Sequence, residues 1–149
     1  MRRVLLVAGL LTATACVSGR PAPTALDARN DLCASCRMAV SSLRFAAQIA
    51  APGEEPLFFD DLGCLVTYLD TRPAVDARAV AYVADHRTGA WVAAASATIT
   101  RVDGLSTPMG SHLIAHASPA SRDADPAARA GVDVRFSSLL LAHVPDGAR

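Results

Sequence analysis

The chain has 149 residues, of which 52% are apolar and 19% charged, with 14 basic and 14 acidic side chains that cancel. That length and apolar content suit one compact domain with a sizeable core, and the zero balance excludes a protein built to hold nucleic acid by charge alone. All 14 basic residues are Arg, which excludes a P-loop lysine and a Schiff-base lysine.

Arg2 and Arg3 precede an apolar run from Val4 to Ala15. The run is too short to span a bilayer and has the length of a signal-peptide core. It ends in Thr12-Ala13-Thr14-Ala15-Cys16, which resembles a bacterial lipobox with Cys16 as the lipidated, mature N-terminus. A soluble export signal cut after Ala15 is the alternative. Either way residues 1–15 leave the fold, and the mature chain carries two more acidic than basic residues. Residues 16–30, with Pro21 and Pro23, read as a flexible tether that holds the domain off a membrane.

From residue 31 onward strands and helices alternate. Leu43 to Ala51 is mixed apolar and ends at the Pro52-Gly53 turn; Pro56 to Phe59 is a short strand. Leu62, Leu65, Val66 and Leu69 recur at helical spacing, with Asp60 or Asp61 as the cap. Ala79 to Asp85 is a strand that turns at Thr88-Gly89 into Trp91-Val92. Asp85 and His86 are most simply turn residues there. Ala97 to Val102 and Ser111 to Ala117 are further strands. Ser121 to Ala130 is a short polar helix with Gly131 as its stop, followed by a strand at Val132 to Phe136 and a helix at Ser137 to Val144. The order is mixed, so the class is α+β. A weak repeat runs through it: Met38 and Met109 each precede two strands, a Phe-polar-polar-Leu signature (Phe59 and Phe136) and a helix. The two methionines are thereby expected to be equivalent and to face one another.

The chemistry lies in the sulfur residues. Cys33-Ala34-Ser35-Cys36-Arg37-Met38 places three soft donors in six residues, the donor set that Cu(I) prefers and that Mg²⁺ or Ca²⁺ does not. Cys36 and Met38 would share one side of an extended segment. Met109 sits between Pro108 and Gly110 with few neighbours to pack on, and His112 offers an imidazole three residues later. A disulfide between Cys33 and Cys36 is the first alternative and zinc a lesser one, and Cys64 is compatible with a small buried apolar residue. No set of nucleophile, base and orienting group can be assembled.

These motifs, C-x-x-C-x-M, AAQIA, FDDLGCLVTYL, YVADHRTGAW and TPMGSHLIAHA, together resemble the nitrous oxide reductase accessory proteins of the NosL type, from about Cys33 to Leu141. The resemblance implies an exported Cu(I)-binding lipoprotein, not an enzyme, on the periplasmic side of a bacterial membrane. Its partner would be a copper-receiving enzyme, and it would bind no nucleic acid. It implies two similar ββαβ halves, about 31–87 and 88–149, in one copper-binding domain over 31–149. Its metal motifs correspond to Cys36, Arg37 and Met38, and to Pro108, Met109 and Gly110, with Arg37 standing where the family has Gly. The expected ligands are Cys36, Met38 and Met109, with Cys33, His112 and Cys64 ranked second. The competing reading is a thiol–disulfide oxidoreductase that uses Cys33 and Cys36, although no strand-then-helix context surrounds them.

Overall fold

The computed structural model describes residues 19–71 and 75–141. The apolar run 1–15 and Cys16 lie outside the described residues. The chain folds as two antiparallel sheets with short helices. Strands β1 (Ala47–Ala50), β2 (Leu57–Phe59), β3 (Val80–Ala84) and β4 (Trp91–Ala93) form a sheet in the order β2-β1-β3-β4. Strands β5 (Thr98–Arg101), β6 (Leu113–His116) and β7 (Val132–Val134) form a second sheet in the order β6-β5-β7. Helix α1 (Leu62–Thr71) joins β2 to β3, and α2 (Pro119–Asp123) lies between β6 and β7. Helix α3 (Phe136–Leu141) packs against α1. Both halves therefore run ββαβ with the first strand central, as expected. β4, from beyond the expected boundary at residue 88, completes the first sheet by hairpin pairing with β3.

The internal repeat is real but aligned differently from the sequence expectation. Each half opens on a tight turn with the same hydrogen bonds. Cys33 N–H donates to the Met38 carbonyl (2.8 Å) and Arg37 N–H to the Cys33 carbonyl (2.9 Å); Asp85 N–H donates to Ala90 (2.8 Å) and Gly89 N–H to Asp85 (2.7 Å). Each turn then forms a parallel bridge to its half's second strand, Cys33 to Phe58 and Asp85 to Ala115. Cys33 thus corresponds to Asp85, Cys36 to Thr88 and Arg37 to Gly89. Met109, just before β6, has no such match to Met38, so the two methionines are not equivalent. Nor is Cys33–Met38 extended. The pairing of Leu32 with Ala39 closes it into a turn, which removes the alternation that placed Cys36 and Met38 on one side.

One main core spans both halves. Phe59, Leu62, Leu65, Val83, Ile99 and Leu113 are buried together in it. β1 is buried along its whole length because the segment read as a tether covers one of its faces. The Gln48 side chain accepts from Thr24 N–H (2.8 Å) and donates to the Thr24 carbonyl (2.9 Å), and the Tyr82 hydroxyl donates to the Pro21 carbonyl (2.7 Å). These bonds satisfy polar groups that the sheet alone would leave to water. The polar helix expected over 121–130 is two pieces. Ser118 caps α2 ahead of Pro119, and Asp125 caps a separate 3-10 turn at Pro126–Ala128, where Pro126 ends the first run.

Arg37 has φ 67° and Gly89 φ 75°, so the first half imposes on an arginine the backbone that the second gives to glycine. A Cβ at Gly89 would also meet Leu43 Cδ2 at 3.2 Å. Gly89→Ala is expected to destabilise the fold by about 1–2 kcal/mol. Arg37→Gly should be neutral or stabilising by up to about 1 kcal/mol, since relieved strain is partly offset by glycine's freedom in the unfolded chain. Urea unfolding of both variants checks the contrast; equal losses would contradict it.

Candidate metal centre

Asp61 organises the site. It is fully buried, directly before α1, and its Oδ1 accepts the N–H of Gly63 (2.6 Å) and of Cys64 (3.3 Å), capping the helix as its sequence position predicts. Its Oδ2 reaches the other half, accepting the Thr107 hydroxyl (2.9 Å) and the Met109 N–H (3.0 Å). One carboxylate thus fixes both the first turn of α1 and the Pro108-Met109-Gly110 loop. Gly63 is required for this approach: a Cβ there would lie 2.8 Å from Ser111 Cβ. Neighbouring Asp60 holds the turn in place by accepting both the N–H (2.7 Å) and the hydroxyl (2.9 Å) of Ser41.

The turn and the helix bring Cys33, Cys36 and Cys64 together. Their three sulfurs lie within 4.8 Å of one another, and all three are free thiols. A trigonal site with bonds near 2.3 Å places its sulfurs about 4.0 Å apart, so only a small contraction is needed. Cys33 is wholly buried. Burial pushes its thiol up, but the N–H groups of Cys36, Asp60 and Ser35, and the Cys36 thiol, point at its sulfur and hold it below the ordinary cysteine range. Burial raises Cys36, and the hydrogen bond and charge of Cys33 add to the rise. Cys64 is pushed far up, first by burial, then by the charge and hydrogen bond of Cys33 and by the charge of Asp61. Cys33 is therefore the most readily ionised of the three thiols and Cys36 and Cys64 the less readily ionised, so a soft cation arriving there displaces protons from Cys36 and Cys64.

A cavity of about 450 Å³ opens beside the cluster, with Cys36, Cys64, Met109 and His112 in its wall. Met109 is 42% exposed at its rim. His112 bonds the Leu105 carbonyl through Nδ1 (2.7 Å), so Nδ1 carries the proton and Nε2 keeps its lone pair, the tautomer a metal-binding imidazole needs. Met38 is 50% exposed and is not part of this wall. Of the expected donors, Cys36 and Met109 therefore meet at one cavity, His112 joins them, and Met38 stands apart. Cys33 and Cys64, which the sequence ranks second, form the compact cluster with Cys36.

The second half carries the same geometry in oxygen. Ser121 lies three residues after the cap Ser118, as Cys64 lies three after Asp61. Asp85, Thr88 and Ser121 thus stand where the first half has Cys33, Cys36 and Cys64. Asp85 Oδ2 accepts the Ser121 hydroxyl and the Ala117 N–H (both 2.7 Å), and its Oδ1 accepts Thr88 N–H (2.9 Å). This trio closes on itself through hydrogen bonds, whereas the three sulfurs hold one another weakly.

Asp61→Ala removes the acceptor of four hydrogen bonds and is expected to cost about 2–4 kcal/mol, measured by thermal and urea unfolding. A loss below about 0.5 kcal/mol would show that Asp61 does not hold the two segments together.

No curated protein matches the chain. The NosL family profile matches residues 23–139, which include every cysteine, methionine and histidine of the cavity and cluster. NosL is a copper-related accessory family and not a family of enzymes. On that match, over most of its length, the chain belongs to the NosL family.

Proposed function

We propose that the protein is an exported accessory protein, lipid-anchored through Cys16, that holds one Cu(I) and passes it to a maturing copper enzyme, in this family's setting nitrous oxide reductase. The observation that carries the reading is the convergence of Cys33, Cys36 and Cys64 beside a cavity with Met109 at its rim. Sulfur donors select Cu(I) over hard cations. Cys33 and the two thiols it orders supply the strong donors. Met109, neutral and half exposed, meets the ion at the mouth, and His112 Nε2 is available beside it. A partner's ligand entering the cavity displaces the thioether first and the thiolates stepwise, so copper moves by ligand exchange without becoming free.

The thiol–disulfide alternative needs an exposed, low-pKa attacking thiol. Here the buried Cys33 is lowered and the more accessible Cys36 is raised, the reverse of that requirement. That polarity favours the metal reading.

The reduced protein is expected to take up one Cu(I) in competition with a chromophoric Cu(I) chelator. Cys36→Ser and Cys64→Ser should each weaken it by more than the about 10- to 100-fold that loss of an outer-shell partner costs, and Met109→Ala by about tenfold. Full affinity in Cys64→Ser would remove Cys64 from the site and return it to the turn.

Cys36 and Cys64 are raised, so both are protonated at neutral pH and must lose their protons to bind. Apparent Cu(I) affinity should therefore rise from pH 6 to pH 8 by about a hundredfold per unit, one factor of ten for each of the two protons released. A flat profile in the same competition assay would contradict proton displacement.

A further inference from the structure

A second cluster of donors lies in the other half of the molecule. His86 is in the turn before β4, His116 ends β6, and Asp125 caps the 3-10 turn after α2. All three are buried, and their donor atoms converge within 4.8 Å. Asp125 Oδ2 lies 2.6 Å from His86 Nδ1 and 3.0 Å from His116 Nε2. Asp125 Oδ1 accepts the Ala127 N–H (2.9 Å). The Phe45 ring covers His86 at a centroid distance of 5.1 Å. We propose that His86, His116 and Asp125 form a second metal site, distinct from the cysteine cluster, that takes a divalent transition-metal ion of the Zn²⁺ class through two imidazoles and one carboxylate.

Two observations support a ligand role over a purely structural one. The repeat places His86 opposite Ala34 and His116 opposite Phe59, because the N–H groups of His86 and Ala34 make the same 2.8 Å bond to Ala115 and Phe58. The first half therefore builds the same scaffold with apolar side chains at both positions. Burying a carboxylate and two imidazoles instead is costly, and well-packed apolar residues would serve stability as well. Moreover, His116 Nδ1 is buried with no hydrogen-bond partner among the described residues. An orphan of this kind costs about 1–3 kcal/mol, so a network selected for stability alone would not retain it.

The donor chemistry suits the ion. Two imidazoles and a carboxylate are a recurrent Zn²⁺ set that leaves one position for water or an incoming ligand. A carboxylate only accepts, so both facing nitrogens carry protons in the metal-free state. On binding, each ring keeps one proton but carries it on its other nitrogen. For His116 that is Nδ1, which has no acceptor among the described residues, so the metal bonds must outweigh a buried N–H worth about 1–3 kcal/mol. The donor atoms must part to about 3.3 Å to admit bonds near 2.0–2.1 Å, a movement of a few tenths of an ångström. The ion's charge then replaces the protons that now bridge Asp125 to the rings.

The test uses tag-free protein with Cys33, Cys36 and Cys64 all changed to Ser, so that sulfur contributes nothing. Zn²⁺ is titrated against a chromophoric chelator. The expected result is one retained equivalent, abolished by adding His116→Phe, the residue that the first half carries at this position. In the wild type with its cysteines filled by Cu(I), Zn²⁺ should also shift the imidazole ¹⁵N resonances of His86 and His116 in the pattern of metal ligation. This second measurement decides the matter if the Cys-free chain does not fold. Absence of Zn²⁺ uptake by folded Cys-free protein, equal uptake by His116→Phe, or unmoved imidazole resonances would each overturn the proposal. None of these outcomes bears on the sulfur site, which is read with Cu(I).

Discussion

The geometry of the molecule depends on one buried carboxylate. Asp61 has no water to solvate it, so it must be satisfied by protein donors, and those it recruits come from both halves of the chain. Two belong to the first turn of α1, where a carboxylate also complements the positive end of the helix. The others belong to the loop that presents Met109. Without this tie, the helix carrying Cys64 and the loop carrying Met109 would lose the hydrogen bonds that join them through this carboxylate, and the cavity between them would lose its fixed width. A soft-metal site in a small domain needs such rigidity, because its own donors lie on a turn, a helix and a loop.

The two halves share a scaffold and differ in the atoms placed on it. At the junction of opening turn and capped helix, the first half has three sulfurs and the second has a carboxylate and two hydroxyl-bearing residues. Oxygen donors and acceptors complete one another there, and Asp85 is held well below the usual carboxylate range: burial opposes ionisation, but bonds from Ala117, Ser121 and Thr88 outweigh it. Thiols are poor hydrogen-bond partners. The sulfur trio remains chemically open, and a soft cation completes it better than its own protons do. One half is therefore closed by hydrogen bonds at this point while the other leaves three sulfurs that could hold a metal ion.

Much of this was readable in the chain. The strands ending at Phe59, Ala84 and Arg101, the Thr88-Gly89 hairpin and the capped helix at Leu62 all follow from local alternation, spacing and turn residues, which act over a few positions. The C-x-x-C-x-M run and the Pro-Met-Gly loop stood out for the same reason. The repeat was found but misaligned. Its true register is carried by backbone hydrogen bonds and a left-handed residue, and Arg37 hides the glycine that would have marked the first turn as the twin of the second. Cys64 was undervalued because its role comes from tertiary proximity, and nothing local distinguishes a helix cysteine aimed at a cluster from one filling a core. The His86, His116 and Asp125 group was illegible, since it draws one residue each from a turn, the end of a strand and a helical cap that lie far apart in sequence. Docking of residues 21–24 was likewise hidden, because a Pro-containing polar segment reads as a tether until Gln48 is known to face it.

The ligand shell of the bound ion distinguishes the sulfur cluster from every other site most directly. Copper K-edge X-ray absorption on the reduced protein carrying one equivalent of Cu(I) measures that shell. The sulfur cluster predicts a sulfur-dominated shell of three thiolate scatterers near 2.3 Å with the Met109 thioether as a weaker further sulfur, and that shell should lose one sulfur in Cys64→Ser. A shell unchanged by Cys64→Ser, or one built mainly from nitrogen and oxygen, would contradict the claim that Cys33, Cys36 and Cys64 together form the copper site.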